Sequence, residues 1–442
     1  MGLSWPTIPD PGPDVARGAN LVHVQVLLPH ATDVWDGALW DVGTWDANTP
    51  SSFLDVSCYV DGISIERGRK DPIGHIEPGR CAFNLDNDEG LFTPWNTLDP
   101  DGRDLGYPLF GPGIPVRVAT YAGDLFVGLV TQVAETDDTD WPVVGVAAVD
   151  PLSLAAESNQ AALADVGAGD LAGARMTRIF DRARLPGWVD RNWSTGGRVG
   201  LQATSLAAEA LTEAWLTADS DGGILFATRS GVIRYLNSLE LEGPAWTEPV
   251  AMIADHPDTA SMWDVPLSVY CPASYTFTAT RDAVVNRVSI ACTGGTAFIA
   301  EDAGSIGRNG VRTTQRHDLI YQTAAQATHG PWLAANALDR LAHAEVILSP
   351  IEGFPTDDDD WWTLAHTLDM HHRLEVARHR WDQELRVLGT VDNLAHRITP
   401  GVDTGDPGKW VMTIKLSPGS QLAGWSRWDA AVWDYSPWDL WQ

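Results

Sequence analysis

The sequence predicts a mainly β chain with α/β modules, in which two small barrel-like domains are accompanied by helix-containing intervening domains. Three observations carry this expectation. From Phe53 to about residue 150, short alternating apolar runs are separated by Gly, Pro and Asp-Asn punctuation, the pattern of a small barrel or sandwich. From about residue 158 the composition becomes rich in Ala, Leu and Arg, which favours helix. Toward the C-terminus the β pattern returns, and one hairpin there echoes a hairpin near the front. At 442 residues the chain is too long for one ordinary core, so several domains are expected.

The elements follow in order. Residues 1–52 hold a strand, "LVHVQVLLP", and an arm in which Trp-Asp recurs every five residues at Trp35, Trp40 and Trp45. A spacing of five matches neither the strand nor the helix period, so this repeat is not the core stripe of one regular element. Residues 53–157 form the first barrel domain, with runs such as "FLDVSCYVDGISIERG", "RCAFNLDN" and "IPVRVATYAGDLFVGLVTQVAE". Residues 158–250 form a helix-plus-hairpin α/β module. Within it "LAGARMTRIFDRARLPG" is a helix stopped by Pro186 and Gly187, and "SLAAEALTEAWLTADS" is a helix with Ser205 as N-cap. "GILFATRSGVIRYLN" is a hairpin turning at Ser230-Gly231.

Residues 251–372 mix strands ("NRVSIAC", "TAFIAE") with a helix, "YQTAAQATHGPWLAANALDRLAHAEVIL", which is expected to break at Gly330-Pro331. Residues 373–424 supply the closing hairpins of the second barrel, and residues 425–442 repeat the Trp-Asp arm at Trp428, Trp433 and Trp438. The echo joins Phe126–Pro151 to Val387–Pro418. Each has a strand glycine (Gly128, Gly389), an acidic turn, a Trp opening the return strand (Trp141, Trp410) and a terminal Pro. One hairpin can match by chance; a true duplication would give two related barrels.

Composition narrows the function. With 44% hydrophobic residues, wholesale disorder is excluded. A net charge of −30 argues against a protein that grips nucleic-acid phosphates, which needs a basic footprint. It leaves room for a surface past which DNA slides, and for the plainer reading of solubility. No apolar run is long enough to span a bilayer, and the N-terminus has neither a secretory pattern nor a myristoylation signal. Cys58, Cys81, Cys271 and Cys292 are far apart and read as small buried hydrophobes.

No constellation argues for chemistry. "DNDEG" places Asp86, Asp88 and Gly90 at positions one, three and five, where a calcium loop needs its Gly at six and a Glu at twelve; the twelfth residue is Thr97. A structural turn is expected there. His366, His371, His372 and His379 lack metal-ligand spacing and read as surface histidines entering a strand, and Asp357 to Asp360 as a solvated turn before Trp361-Trp362. No GxSxG, SxxK, papain-like Cys or phosphate-binding loop occurs. No catalytic, cofactor-binding or metal residue is assigned, no cofactor is expected, and the chain reads as not an enzyme.

Val60–Asn96, running on to "IPVRVATYAGDLFVGLVTQV", resembles the minor tail proteins of long-tailed bacteriophages of actinobacteria, more narrowly the tail-hub family related to baseplate hubs of contractile phages. The matching residues are Arg67-Gly68-Arg69, Pro78-Gly79, the "NLDNDEGLFTPWN" turn, "LFVGLV" and "VVGVAAVDPLSLAA". Later come Asp302, Ser305, Ile306, Gly310 and Arg312, and the closing hairpin. The similarity covers about 55–420 and rests on turn punctuation. It implies a structural hub in the virion's tail tip that closes the tail tube, adapts its symmetry and forms the channel for DNA ejection. Implied partners are two further copies in a homotrimer, distal tail or tube ring proteins, the tape measure protein, and other minor tail or receptor-binding proteins. Genomic DNA would be met only in transit, and no membrane span is implied. The absence of a trailing peptidase or wall-hydrolase domain weighs against a lytic role. The alternatives are a hexameric distal tail ring protein and a host-surface carbohydrate-binding tail protein. The Trp-Asp arms are expected to dock on each other, on a neighbouring subunit or on another tail protein.

Overall fold

The computed structural model describes residues 5–10, 21–28, 52–70, 74–88, 90–97, 111–136, 142–158, 164–206, 208–255, 266–271, 275–279, 283–342, 346–380, 383–401 and 406–418. Both Trp-Asp arms and Trp141 lie outside the described residues. The chain is mainly β with α/β modules, as expected.

The first β region contains β1 (His23–Leu28), β2 (Ser52–Asp55), β3 (Val60–Gly68), β4 (Glu77–Asp86), β5 (Pro115–Thr120), β6 (Gly123–Thr136) and β7 (Val143–Val149). Alternation sets which side of each strand is buried: Cys81, Phe83 and Leu85 of β4 face the core while their neighbours face out.

Three helices, Leu152–Glu157, Ala172–Ala183 and Ala210–Asp221, then pack beside a small sheet of β8 (Arg191–Asn192), β9 (Ile224–Ala227) and β10 (Ile233–Leu236). The second helix stops where Arg184 turns left-handed, just before Pro186. The β9–β10 hairpin turns at Ser230-Gly231, with Gly231 at φ 78° donating to the Thr228 carbonyl. Ser205 is not the cap expected of it. Thr204 is held in a bridge to Val166, and buried Leu206 at φ 47° redirects the chain. The helix therefore begins at Ala210, and Glu213 reaches back to accept the Ala208 N–H.

Next come β11 (Pro249–Ala254), β12 (Ser268–Tyr270), β13 (Phe277–Ala279), β14 (Arg287–Cys292), β15 (Phe298–Glu301), β16 (Thr313–Leu319), β17 (Val346–Leu348), β18 (Ile351–Gly353), β19 (Arg373–Arg380), β20 (Gln383–Thr399) and β21 (Lys409–Pro418). Strands β15-β14-β16 make a sheet covered by the helix Gln326–Leu341. That helix runs through Pro331 without the expected break. The proline is the sixth residue, and the carbonyl it leaves unbonded belongs to exposed Ala327, where water is at hand.

Strands β13 and β17 pair with each other, and the other thirteen join one sheet in the order β12-β11-β19-β20-β3-β4-β7-β6-β5-β1-β2, with β21 beside β20 and β18 beside β21. No ring of paired strands closes among the described residues, so the two barrel-like units share one open sheet. The cause is β20. Its first half pairs with β19, its second half pairs with β21, and the far edge of that second half pairs with β3, from Ile63↔Ile398 to Gly68↔Asn393.

The echo between front and back is a duplication in register. In β6–β7 the ladder breaks between Val130 and Gln132; in β20–β21 it breaks between Val391 and Asn393. Each break lies two residues after the strand glycine, so Thr131 and Asp392 are equivalent bulge residues. The β5–β6 pairing Val116↔Gly128 matches Leu374↔Gly389 of β19–β20. Phe83↔Val146 of β4–β7 matches Ile351↔Ile414 of β18–β21, and β13, antiparallel to β17, stands where β3 stands beside β4, with Tyr275 and Phe277 toward the core and Thr276 and Thr278 exposed. In this register Trp410 is the equivalent of Pro142 rather than of Trp141, one residue from the sequence alignment.

Candidate functional site

Of the motifs in the sequence, Arg67-Gly68-Arg69 and Pro78-Gly79 lie at the seam between the two copies. At the end of β3, Gly68 adopts φ 130°, and a side chain there would overlap the Asp392 carbonyl. Only glycine lets the two backbones approach this closely. Arg69 then donates its backbone N–H to the same carbonyl at 2.7 Å, and its Nε donates to Asp392 Oδ1 at 2.8 Å. Ser417 bonds the other Asp392 oxygen. Arg67 donates Nη2 to Asp369 Oδ1 at 2.7 Å and to the Ala227 carbonyl at 2.6 Å, tying the small-sheet module to the same place.

Burial works against the charge of Asp369, yet adjacent Arg67, the Met370 N–H and nearby Arg229 hold its carboxyl below the usual range. Asp150, at the start of the helix after β7, accepts the Gly79 N–H at 2.6 Å and the Leu152 N–H at 2.9 Å. Its burial outweighs these bonds and the charge of Arg67, and lifts its pKa to about 6. His396 lies within the same seam. Burial, then the charges of Arg67, His366 and Arg229, depress it to about 3, so it is neutral and accepts the Trp410 Nε1–H at 3.2 Å.

The histidine and acid runs are corrected by the packing. His366 and His371 are buried rather than on the surface. The His366 ring lies near Trp362 and Trp410, donating Nδ1–H to the Trp362 carbonyl and accepting from the Thr120 hydroxyl at Nε2. The acid run is a helix start instead of a loose turn: Asp358 caps the helix Asp359–Thr367, accepting the N–H groups of Asp360 and Trp361. Trp361 and Trp362 are buried beneath it. Of the cysteines, Cys81, Cys271 and Cys292 are buried, but Cys58 is exposed.

The other motifs act as turn anchors. Asn87 fixes the acidic turn, accepting the Phe92 N–H and donating to Glu135. Asp302 caps the helix Ala303–Asn309 through the Ser305 N–H at 2.7 Å, and Ser305 donates to the Ala342 carbonyl. Gly310 ends that helix at φ 72°.

A cleft of about 210 Å³ lies where the loop before β4 meets the helices Ala210–Asp221 and Gln326–Leu341. His75 stacks on Trp215 at 4.6 Å and bonds Asp219 at 2.7 Å, while Arg316 reaches Asp219 at 2.6 Å. Asp219 is thus engaged by two basic side chains, and the arrangement ties neighbouring elements together. Among the described residues no group of three or more His, Cys, Asp or Glu is placed to hold a metal ion, and no helix is long and apolar enough to cross a membrane.

Sequence reasoning found Arg67-Gly68-Arg69 but missed Asp369, Asp392 and Asp150. Two arginines in one strand call for buried carboxylates elsewhere, but 59 acidic residues give no means of choosing among them.

No family model and no curated protein matches the sequence. A tail protein from Neisseria meningitidis shares the fold, with a TM-score of 0.54 at 10% identity over 90% of this chain and 98% of that one. A prophage MuSo2 tail protein from Shewanella oneidensis aligns at TM-score 0.49 and 10% identity, over 91% of this chain and 96% of its own. A prophage tail protein from Listeria monocytogenes aligns at 0.47 and 9%, over 89% and 94%. The likeness is one of fold, and it does not extend to the actinobacterial hub family that the turn motifs resemble.

Proposed function

We propose, from a tail-protein fold shared over nearly the whole of both chains, that this protein is a structural component of a bacteriophage tail, and within it the hub at the tail tip. The observation that carries the reading is the fold likeness to the Neisseria protein. The in-register duplication supports the finer part. Two related sheet units per chain, taken three times, present six similar faces to a sixfold tube without symmetry conflict. A hexameric distal ring would meet the same demand with one unit per chain, so the duplication favours the hub. In this role the chain would close the tube, bind the distal tail or tube ring, the tape measure protein and other minor tail or receptor-binding proteins, and let DNA pass. The net charge of −30 suits a lumen along which phosphates slide without sticking. The Trp-Asp arms would serve as docking segments between neighbours.

The test is the copy number in purified tail tips, by native mass measurement and reconstruction. Three copies in one ring are expected. Six would transfer the chain to the distal ring, and its absence from virions would remove the tail reading.

A further inference from the structure

The two copies of the duplicated unit differ at one edge. In the second copy the far edge of β20, residues 393–398, is covered by β3. Its equivalent in the first copy, residues 132–136 of β6, pairs with β7 on one side and with no strand on the other among the described residues. Thr131, Gln132, Ala134 and Thr136 are exposed. The chain also contains an equivalent of β3. It is β13 with the two residues before it, 275–279, which pairs with β17 and whose other edge carries no strand among the described residues. Each half of the β3–β20 contact therefore recurs with no strand beside it among the described residues.

We infer that residues 132–136 of one chain pair antiparallel with residues 275–279 of a second copy of the same chain, reproducing between chains the β3–β20 ladder made within each. The faces follow from the duplication: Glu66 opposes Ala395 on the outer face of the intramolecular ladder, so outward Ala134 opposes outward Thr276 or Thr278, while Val133 and Phe277 stay on the core side. The occupant is a copy of this chain because the intramolecular contact shows which strand such an edge accepts. The two surfaces differ, so the contact is head-to-tail and closes into a ring when the rotation permits. A strand edge left open would otherwise template uncontrolled association. The inference rests on the ring proposed above and specifies its interface.

The experiment is disulfide trapping in the full chain carrying Cys58→Ser. Ala134→Cys combined with Thr276→Cys or Thr278→Cys forms the first pair, with both thiols on the outer face of the joined strands and, in the matching register, at a separation that a disulfide spans. Glu66→Cys with Ala395→Cys is the equivalent pair within one chain. On oxidation the first pair is expected to convert monomer into dimer and trimer bands. The second should close without a change of mass, and either single substitution should give neither. Hydrogen exchange on the unsubstituted chain should show the amides of 132–136 and 275–279 slowed in the ring relative to the diluted monomer. A trimer in which the first pair does not cross-link above the single substitutions, or in which those amides exchange as fast as in the monomer, overturns the pairing and leaves the ring. A chain that is monomeric alone and in tail tips removes the ring and the pairing together.

Discussion

The two copies of the sheet unit share glycines, bulges and ladder register, yet they bury different things at equivalent positions. Asp392 is buried and bound by Arg69, whereas its counterpart Thr131 is exposed; His396 is buried against Trp410, whereas its counterpart Glu135 is only half-buried. The backbone plan is common, and the difference follows from whether a third strand lies alongside. A covered edge allows charged and aromatic groups to be buried in matched pairs. The edge with no strand beside it among the described residues carries Thr, Gln, Ala and Glu side chains that tolerate water.

The comparison can be broken most forcefully at the bulge. Asp392→Ala leaves Arg69 buried without its carboxylate and is expected to cost about 3–5 kcal/mol. Thr131→Ala, at the equivalent site, is expected to stay within about 0.5 kcal/mol. Urea denaturation of both variants checks this, and equal losses would end the claim that the covered edge is the stabilising one. Next come the strand glycines. A Cβ on Gly128 would overlap the Val149 carbonyl and the Phe126 ring, whereas on Gly389 it would press Leu416 Cβ at 2.9 Å. Gly128→Ala is expected to cost about 2–3 kcal/mol and Gly389→Ala about 1 kcal/mol, the first meeting backbone and the second a side chain. The same titrations rank them.

Acid sharpens the contrast further. His396 has a folded pKa near 3, so below about 6.5 the unfolded chain takes up a proton that the folded chain refuses. Its share of the stability is therefore lost as pH falls from about 6.5 toward 3. Asp150 has the opposite sign: its raised value of about 6 means that stability is gained as pH falls from 6 toward 4. His396→Gln keeps an acceptor for Trp410 and should flatten the acid loss measured by thermal melts between pH 7 and 5. An unchanged slope would locate the effect elsewhere. The smallest effect belongs to the open edge. Ala134→Asp should alter monomer stability by no more than about 0.5 kcal/mol, while lowering the trimer fraction seen by native mass measurement.

The local parts of the fold were legible because the signals are local. Period-two alternation marked β3 and β4, and Pro186 and Gly231 marked a helix end and a turn. What could not be read depends on distant chain. Nothing near Ser205 shows that Thr204 is taken by Val166, and nothing near His366 shows that Trp410 will cover it. The merging of the two β regions into one sheet was hidden for the same reason, since alternation gives a strand its faces and not its neighbours. The seam was half visible. Gly68 between two arginines announced a close backbone approach, but Asp392 looked like any other acid.

The β3–β20 ladder has a consequence for how the chain is made. Arg69 and Asp392, which face each other across it, are 323 residues apart in sequence. During synthesis β3 can pair with β4 early, but its other edge has no partner until β20 has left the ribosome. At about 5–20 residues per second, that edge is open for tens of seconds, during which any free strand nearby is a competitor. Pairings this distant also form slowly, because so much chain must be ordered before the contact rewards it. Arg67 and Arg69 then gain a second significance as charged guards on the nascent edge, repelling other copies of the same strand until their carboxylates arrive.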